Sequence, residues 1–179
     1  MKWKLLIVAV GIVIFVILFF PMQIYWLFCP HTLQDVIQQV FKSRDIDCVI
    51  AYPQQVTAQR LHRNTEYGGL DGYTKDPPVT ISPEQVQQLK TLLQDPKSYD
   101  WGMGNNCVPD YAVLYSFRAE GHTVRVAFCF ECNMIGVFDG QDDHAGQINN
   151  RYMFKPMRAQ VIALTKTIFP NDKTIQALQ

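Results

Sequence analysis

A long apolar stretch at the amino terminus constrains this chain more than any other feature of its sequence. No side chain from Leu5 to Cys29 is charged, and most of them are aliphatic or aromatic. A helix of about 20 apolar residues is long enough to cross the hydrocarbon core of a bilayer. The sequence therefore predicts a transmembrane helix within residues 1–30, followed by a single domain over residues 31–179.

The charges beside this stretch predict its orientation. Lys2 and Lys4 precede it, and the cytoplasmic flanks of membrane-spanning helices carry the excess of Lys and Arg. We therefore expect a single-pass protein of a bacterial cytoplasmic membrane, with its amino terminus inside and residues 31–179 outside. The residues from Phe15 to Cys29 are almost all large and offer no small-x-small cleavage site, which favours an uncleaved anchor over a removed signal peptide.

Composition limits what residues 31–179 can do. Apart from Lys2 and Lys4, the chain has 14 basic and 16 acidic side chains, which gives a formal charge of −2. Nucleic-acid-binding domains are basic, so we expect no nucleic-acid partner. This length matches one ordinary domain with its own core. The five cysteines are compatible with disulfides outside the cell membrane, and their odd number leaves at least one thiol unpaired or shared between chains.

The spacing of apolar residues predicts three helices in this domain. Thr32 can cap a first helix over residues 33–41. The segment Ser82–Gln85 combines an N-cap serine, a proline at the first helical position and a glutamine that completes a capping box, which predicts a helix to about Gln94. A last helix is predicted from Pro156 to Pro170, with its apolar residues on one face.

The other segments are predicted to be strands and loops. Strands are expected over residues 46–51, 111–119, 122–132 and 134–138, and loops over residues 60–78 and 139–150. Cys48, in the first of these strands, is expected to be a small buried hydrophobe. The sum is an α+β domain in which helices cover one side of a small antiparallel sheet.

The turn Glu120-Gly121 fixes the register of the two central strands. If it is a two-residue turn, Ala119 faces His122 and the numbers of every opposed pair sum to 241. One face of this hairpin is then wholly apolar: Val113, Tyr115, Phe117, Val124, Val126 and Phe128. A slip of one residue would move Arg125 into the core, so the hydrophobic pattern supports this register.

The same register places the cysteines. Cys129 is predicted on the mixed face of the hairpin and Cys132 on its core face, unless a bulge intervenes. Extending the first strand backward puts Cys107 diagonal to Cys132 on the same face, so a disulfide between them needs little distortion. Pairing of Cys107 with Cys129 competes with it, and free thiols are a further alternative. Cys129-x-x-Cys132 also has the spacing of a zinc knuckle, and a zinc set could combine these three thiolates with His122 or His144. This spacing occurs once, inside a predicted strand, so zinc binding and dithiol redox catalysis are the less favoured interpretations.

Motifs for catalysis are absent from the sequence. It contains no Gly-x-Ser-x-Gly, no phosphate-binding glycine loop and no His-Glu-x-x-His, so no catalytic residue and no cofactor is predicted. Two glycine-rich segments could instead expose Tyr67, Tyr73 and Trp101 to a protein partner, because rigid aromatic rings supply contact area at low entropic cost. The alternative for Trp101 is that it folds over the edge of the sheet.

One pattern resembles known proteins. Cys107-x-Pro109-x-Tyr111, a hairpin, Cys129-Phe130-x-Cys132 and a terminal helix ending in Phe169-Pro170 together resemble a pattern in small exported or membrane-anchored bacterial proteins of uncharacterised function. The resemblance covers about residues 100–170 and implies no activity. It implies that the three cysteines belong to one local feature, which favours a disulfide or metal staple over scattered buried thiols.

These observations predict a non-enzymatic module of the bacterial envelope that contacts the membrane and an unknown envelope protein. Two alternatives remain open at this point. The chain could be a metal-binding or thiol-redox protein that uses Cys107, Cys129 and Cys132, with zinc as the metal. It could also be an inhibitor or immunity-like protein that neutralises a secreted enzyme.

Overall fold

The computed structural model of the chain describes residues 32–64, 70–101, 107–140 and 147–179, with the backbone alone over residues 147–152. These residues belong to one compact unit, Thr32–Gln179. The predicted helix within residues 1–30 lies outside the described residues, as do Tyr67 and His144.

The predicted hairpin is at the centre of the structure. Strand β4 (Val113–Ala119) pairs with strand β5 (His122–Cys129), and Ala119 lies opposite His122. The two turn residues, Glu120 and Gly121, have φ angles of 51° and 81°. Two residues with positive φ form the tight turn whose twist matches that of the flanking strands. The predicted register is confirmed.

Strands on both sides extend this hairpin into one sheet. Within the described residues they are β1 (Gln55–Arg63), β2 (Tyr73–Lys75), β3 (Val79–Thr80), β6 (Met134–Asp139) and β7 (Gln147–Met153). The seven strands run in the order β2-β1-β4-β5-β6-β7, with β3 also paired to β1, and every pair is antiparallel. Strand β6 confirms the predicted third strand.

Helices and short 3₁₀ turns connect these strands. The helices are α1 (Leu33–Asp35, continued by the π-helical Val36–Phe41), α2 (Arg44–Ala51), α3 (Pro83–Gln94), α4 (Arg158–Ile168) and α5 (Lys173–Gln176), and the 3₁₀ turns are Leu70–Gly72, Pro96–Ser98 and Lys155–Met157. The predicted capping box is present, because the Ser82 N–H donates to Oε1 of Gln85 (2.9 Å) and the Gln85 N–H donates to Oγ of Ser82 (3.3 Å). All three predicted helices are confirmed.

The helices cover one face of the sheet, as predicted. The main core combines the apolar hairpin face with buried residues of α2, α3 and α4. A second, smaller cluster lies on the opposite face of the sheet: Leu61, Leu70, Tyr73, Tyr111, Leu114, Ala127, Cys129, Cys132, Met134 and Phe138. Among the described residues, two short segments, residues 70–75 and 107–111, cover this second cluster.

The strand predicted over residues 46–51 is wrong, because these residues form helix α2. Ser43 caps the helix, and its Oγ accepts the backbone N–H of Asp45 at 3.1 Å. Ile46, Val49 and Ile50 are buried at helical spacing. The apparent alternation over residues 46–51 was misleading because its supposedly polar side included Val49 and Ala51. Cys48, expected to be buried, is exposed on this helix.

The loops predicted over residues 60–78 and 139–150 are partly wrong. Strand β1 runs to Arg63, and β2 and β7 lie within or overlap these segments. Strand β1 alternates Val56 and Ala58 with polar residues. Because it has so few apolar residues, its sequence gives only a weak strand pattern.

The guanidinium of Arg60, near the end of β1, contacts two oxygen atoms of other residues. It lies 3.2 Å from Oδ2 of Asp172 and 3.0 Å from the carbonyl oxygen of Leu61.

The predicted fold class needs one correction. The longest described helix, α3, has 12 residues and therefore spans about 18 Å, whereas the hydrocarbon core of a bilayer is about 30 Å thick. Among the residues that the structure describes, no helix is long and apolar enough to cross a membrane. The described residues form an α+β domain with an antiparallel sheet, and the transmembrane helix that the fold prediction included is not found among them.

Candidate functional site

Three cysteines meet at the end of the sheet where β5 turns into β6, and we call Cys107, Cys129 and Cys132 the sulfur corner. Cys107 and Cys132 form a disulfide with their Cα atoms 6.0 Å apart and 25 positions apart in sequence. Of the two pairings that the sequence left open, the structure contains this one. The third sulfur, that of Cys129, is a free thiol.

A tight turn sets the position of Cys132. Strand β5 ends at Cys129 instead of continuing to Cys132, and Asn133 adopts a left-handed conformation with a φ of 54°. The predicted placement of Cys132 on the main core face is therefore wrong, because the turn interrupts the alternation of side chains. Cys132 instead joins Cys129 in the second cluster.

The Cys129 thiol is buried and hydrogen-bonded. Its Sγ accepts the backbone N–H groups of Asp110 and Cys132, each at 3.3 Å. Burial raises the pKa of this thiol, and the backbone hydrogen bonds oppose that effect. The three sulfurs differ sharply in access, since Cys107 is exposed while Cys129 and Cys132 have exposed fractions of 0% and 4%.

Tyrosines hold the segment before β4 against the sulfur corner. The Tyr73 hydroxyl accepts the backbone N–H of Tyr111 (3.0 Å) and donates to the carbonyl of Pro109 (3.2 Å). Burial raises the pKa of Tyr73, which keeps the hydroxyl protonated so that it can donate. The Tyr111 ring packs over β6, where Gly136 leaves room for it.

Of the predicted zinc ligands, the structure brings the three cysteines together but leaves His122 far from them, and His144 lies outside the described residues. His122 lies at the opposite end of β5 from Cys129, which at the rise of a strand is about 23 Å away. Its Nε2 is hydrogen-bonded to Oδ1 of Asp139. Cys107 and Cys132 form a disulfide and therefore offer no thiolate to a metal ion. Within the described ranges, no three His, Cys, Asp or Glu residues are arranged to hold a metal ion.

The predicted aromatic contact residues are partly used inside the domain. Tyr73 is 8% exposed. The Trp101 Nε1 donates to the carbonyl of Pro96 at 2.8 Å, and its ring lies 5.7 Å from that of Tyr99 and packs against the main core. The structure therefore agrees with the alternative interpretation, in which the Trp101 ring folds onto the domain, and not with a ring that projects freely toward a partner.

The sheet face opposite the helices is open and polar beside the second cluster, and we call this surface the cationic face. It is a shallow concavity of about 420 Å³ lined by Gln55, Thr57, Gln59, Lys75, Pro78, Leu114, Ser116, Arg118, Thr123 and Arg125. Three of these side chains are cationic, and none of these ten lining residues is acidic. The mixed polarity of the hairpin part of this face is visible in the sequence, whereas the part that β1 supplies depends on the pairing of β1 with β4.

Strand pairing explains how the cationic face is assembled. One cross-strand row combines Thr57, Ser116 and Arg125, and a neighbouring row combines Gln55, Arg118 and Thr123. Arg118 is exposed, whereas Arg125 and Thr123 are buried with exposed fractions of 5% and 4%. The Thr123 hydroxyl has no hydrogen-bond partner among the described residues. The accessible cationic and hydroxyl groups of the face are therefore those of β2, β1 and β4, namely Lys75, Thr57, Ser116 and Arg118.

Comparisons of the chain with protein-family models, with curated proteins and with solved structures found no match. The resemblance of the cysteine pattern to small bacterial proteins therefore stays a prediction. Function is argued below from the geometry of the described residues.

Proposed function

We propose that the domain over residues 32–179 is a non-catalytic protein-binding module of the bacterial envelope, and that its cationic face binds an acidic segment of another envelope protein. The observation that carries this proposal is the charge of that face. Lys75, Arg118 and Arg125 line it without a carboxylate among its ten lining residues. Charge complementarity of this kind selects partners and speeds their encounter.

The uncharged groups of the face suit a polypeptide ligand. Gln55, Thr57, Gln59 and Ser116 are partly or fully exposed and line the concavity. Amide and hydroxyl groups can both donate and accept hydrogen bonds, so they can serve backbone groups as well as side chains of a bound segment. The concavity is shallow, which fits an extended segment better than an enclosed small molecule.

A protein partner is favoured over a nucleic acid by the charge balance of the whole domain. The chain after its two amino-terminal lysines has a formal charge of −2. Binding to a phosphate backbone relies on many cationic contacts, and of the three cationic side chains of this face only Lys75 and Arg118 are not buried. An acidic protein segment can be bound through fewer cationic contacts than a phosphate backbone requires.

The chemistry of the lining residues supports binding over catalysis. Ser116, Thr57 and Thr123 are the hydroxyl groups in the face, and no His, Cys, Asp or Glu accompanies them among its lining residues. A hydroxyl nucleophile requires a neighbouring base to remove its proton. The disulfide Cys107–Cys132 supports an oxidising compartment such as the outside of the bacterial cytoplasmic membrane.

Fluorescence anisotropy on the full-length chain tests this proposal. The probe is a labelled glutamate-rich peptide of about ten residues, compared with a neutral Gly/Ser peptide of equal length. Reversal of one of three cationic charges by Arg118→Glu is expected to weaken binding of the acidic peptide at least tenfold, which is about 1.4 kcal/mol. Arg44→Glu is the matched control, because Arg44 is exposed at the start of α2, on the helix-covered side of the sheet.

The expected result is binding of the acidic peptide alone, lost in Arg118→Glu and retained in Arg44→Glu, with an affinity that falls as salt is added. Equal affinities of the two variants would overturn the assignment of the surface. Tighter binding of a single-stranded oligonucleotide than of the peptide at physiological salt would overturn the choice of a protein partner.

A further inference from the structure

We propose that Cys129 is the internal nucleophile of a thiol–disulfide exchange site at the sulfur corner. In this exchange the bond moves from Cys107–Cys132 to Cys129–Cys132, and the Cys107 thiol becomes free to react with a disulfide of a second molecule. This inference goes beyond the binding function proposed above, and it does not depend on the cationic face.

The geometry of the turn places the attacking sulfur beside its target. Sγ of Cys129 lies 3.3 Å from the backbone nitrogen of Cys132, and three covalent bonds connect that nitrogen to Sγ of Cys132. Both residues belong to the second cluster on the same side of the sheet. The two sulfurs are therefore neighbours, and the exchange requires a rotation within the turn after β5 that aligns Sγ of Cys129 with the Cys107–Cys132 bond.

The exchange balances without an external oxidant. The Cys129 thiol loses its proton to solvent, and the resulting thiolate attacks Sγ of Cys132. The sulfur–sulfur bond between Cys107 and Cys132 breaks, and Cys107 leaves as a thiolate that takes up a proton from solvent. One disulfide is broken and one is formed, which is the ordinary course of thiol–disulfide exchange.

The surroundings of the three sulfurs favour these roles. The backbone N–H groups of Asp110 and Cys132 point at Sγ of Cys129, and hydrogen bonds of this kind stabilise a thiolate. Cys107 is exposed, so water solvates it as it leaves. Cys107–Cys132 is the connectivity present in the structure, and capture of the Cys107 thiol by a second molecule draws the exchange toward Cys129–Cys132 by mass action.

Exposure also defines the substrate class. Cys129 and Cys132 are buried. Of the three cysteines in the sulfur corner, Cys107 is therefore the one that can contact another molecule. Its thiolate attacks the disulfide of that molecule, forms a mixed disulfide with one sulfur and releases the other as a thiolate. The substrates are therefore exposed disulfides, either of a protein or of a small molecule.

The test uses oxidised glutathione as the probe on the full-length chain without added reductant. After the reaction, free thiols are alkylated under denaturing conditions, and the modified and cross-linked peptides are mapped by mass spectrometry. Cys48 serves as an internal control for the reagent, because it is a free and exposed thiol on α2. The unaltered chain and the variant Cys129→Ser are compared at the reaction time at which glutathione has modified Cys48.

The expected result is glutathione on Cys107 in the same molecules that contain a Cys129–Cys132 bond. In Cys129→Ser, glutathione on Cys107 is expected to fall at least tenfold, while the modification of Cys48 is unchanged. The rate in the unaltered chain should rise about tenfold for each pH unit from 6 to 8, because burial raises the pKa of Cys129 and only its thiolate attacks. Asp110, the charged group beside this sulfur, acts in the same direction.

Two outcomes would overturn the proposal. The first is an unaltered chain in which Cys48 is modified but no Cys129–Cys132 bond forms; this readout needs no variant and so does not depend on how a variant folds. The second is equal modification of Cys107 in the unaltered chain and in Cys129→Ser. Either result would leave the binding proposal untouched, because that proposal rests on Arg118 and its neighbours.

Discussion

Removal of the disulfide should destabilise this domain by a predictable amount. The bond between Cys107 and Cys132 joins residues 25 positions apart. The entropy of closing a loop of that length in the unfolded chain corresponds to about 3.5 kcal/mol at 25 °C. We therefore expect the double substitution Cys107→Ser, Cys132→Ser to lower the free energy of unfolding by about this amount. Domains of this size are stable by about 5–15 kcal/mol, so the loss is a large fraction of the total.

The structure indicates that the loss comes mainly from the unfolded state. The segment before β4 keeps other ties to the domain after the bond is removed, namely the hydrogen bonds of Tyr73 to Tyr111 and Pro109. The folded state should therefore survive with its sheet intact. For a domain of about 150 residues, a loss of about 3.5 kcal/mol lowers the melting temperature by about 10 °C.

Thermal and urea denaturation of the full-length chain, followed by circular dichroism, measure this effect. Cys48→Ser is the matched control, because Cys48 is exposed and unbonded and its substitution should change the free energy of unfolding by less than about 0.5 kcal/mol. A double variant within about 1 kcal/mol of the unaltered chain, with the same dependence on urea, would refute the loop-entropy argument.

Four further substitutions test the packing and capping of the domain by the same denaturation measurements. Gly136→Ala should cost about 1–3 kcal/mol, because its new Cβ would lie 2.8 Å from a ring carbon of Tyr111; an unchanged melting temperature would contradict this packing. Thr165→Val should cost more than Tyr115→Phe, because the Thr165 hydroxyl donates to a backbone carbonyl and the valine would leave the buried Tyr115 hydroxyl without its acceptor; the reverse order would contradict the proton assignment. Ser82→Ala should cost about 1 kcal/mol through loss of the helix cap, and no change would show that the cap contributes nothing.

The hairpin was predictable from sequence because two independent signals agree there. Glu120-Gly121 fixes the turn, and the alternation of apolar and polar residues fixes the register. Where only one signal was available, the prediction failed. Residues 46–51 have an apolar pattern that fits either a strand or a helix, and the cap at Ser43 decides for the helix. Strand β1 lacks large apolar residues and is fixed by its pairing with β4, which is a tertiary contact.

The candidate sites were only partly predictable for the same reason. The hairpin register pointed to the pairing of Cys107 with Cys132, but it placed Cys132 on the wrong face because it missed the turn after Cys129. The burial of the Cys129 thiol depends on that turn and on the segment before β4, which sequence alone does not position. The cationic face could not be recognised, because Thr57 and Gln59 belong to β1 and complete it only when β1 pairs with β4.

The disulfide and the cationic face are connected through the way the sheet is covered. Helices cover one face of the sheet, whereas in the part of the chain that the structure describes, residues 70–75 and 107–111 cover one end of the other face. Such short segments bury little apolar surface, so they gain little hydrophobic stabilisation to offset the entropy lost when they are ordered. A covalent bond from Cys107 to the turn after β5 supplies what the packing lacks. The disulfide thus keeps one end of this face closed over the second cluster, and the polar end beside it stays open for a partner.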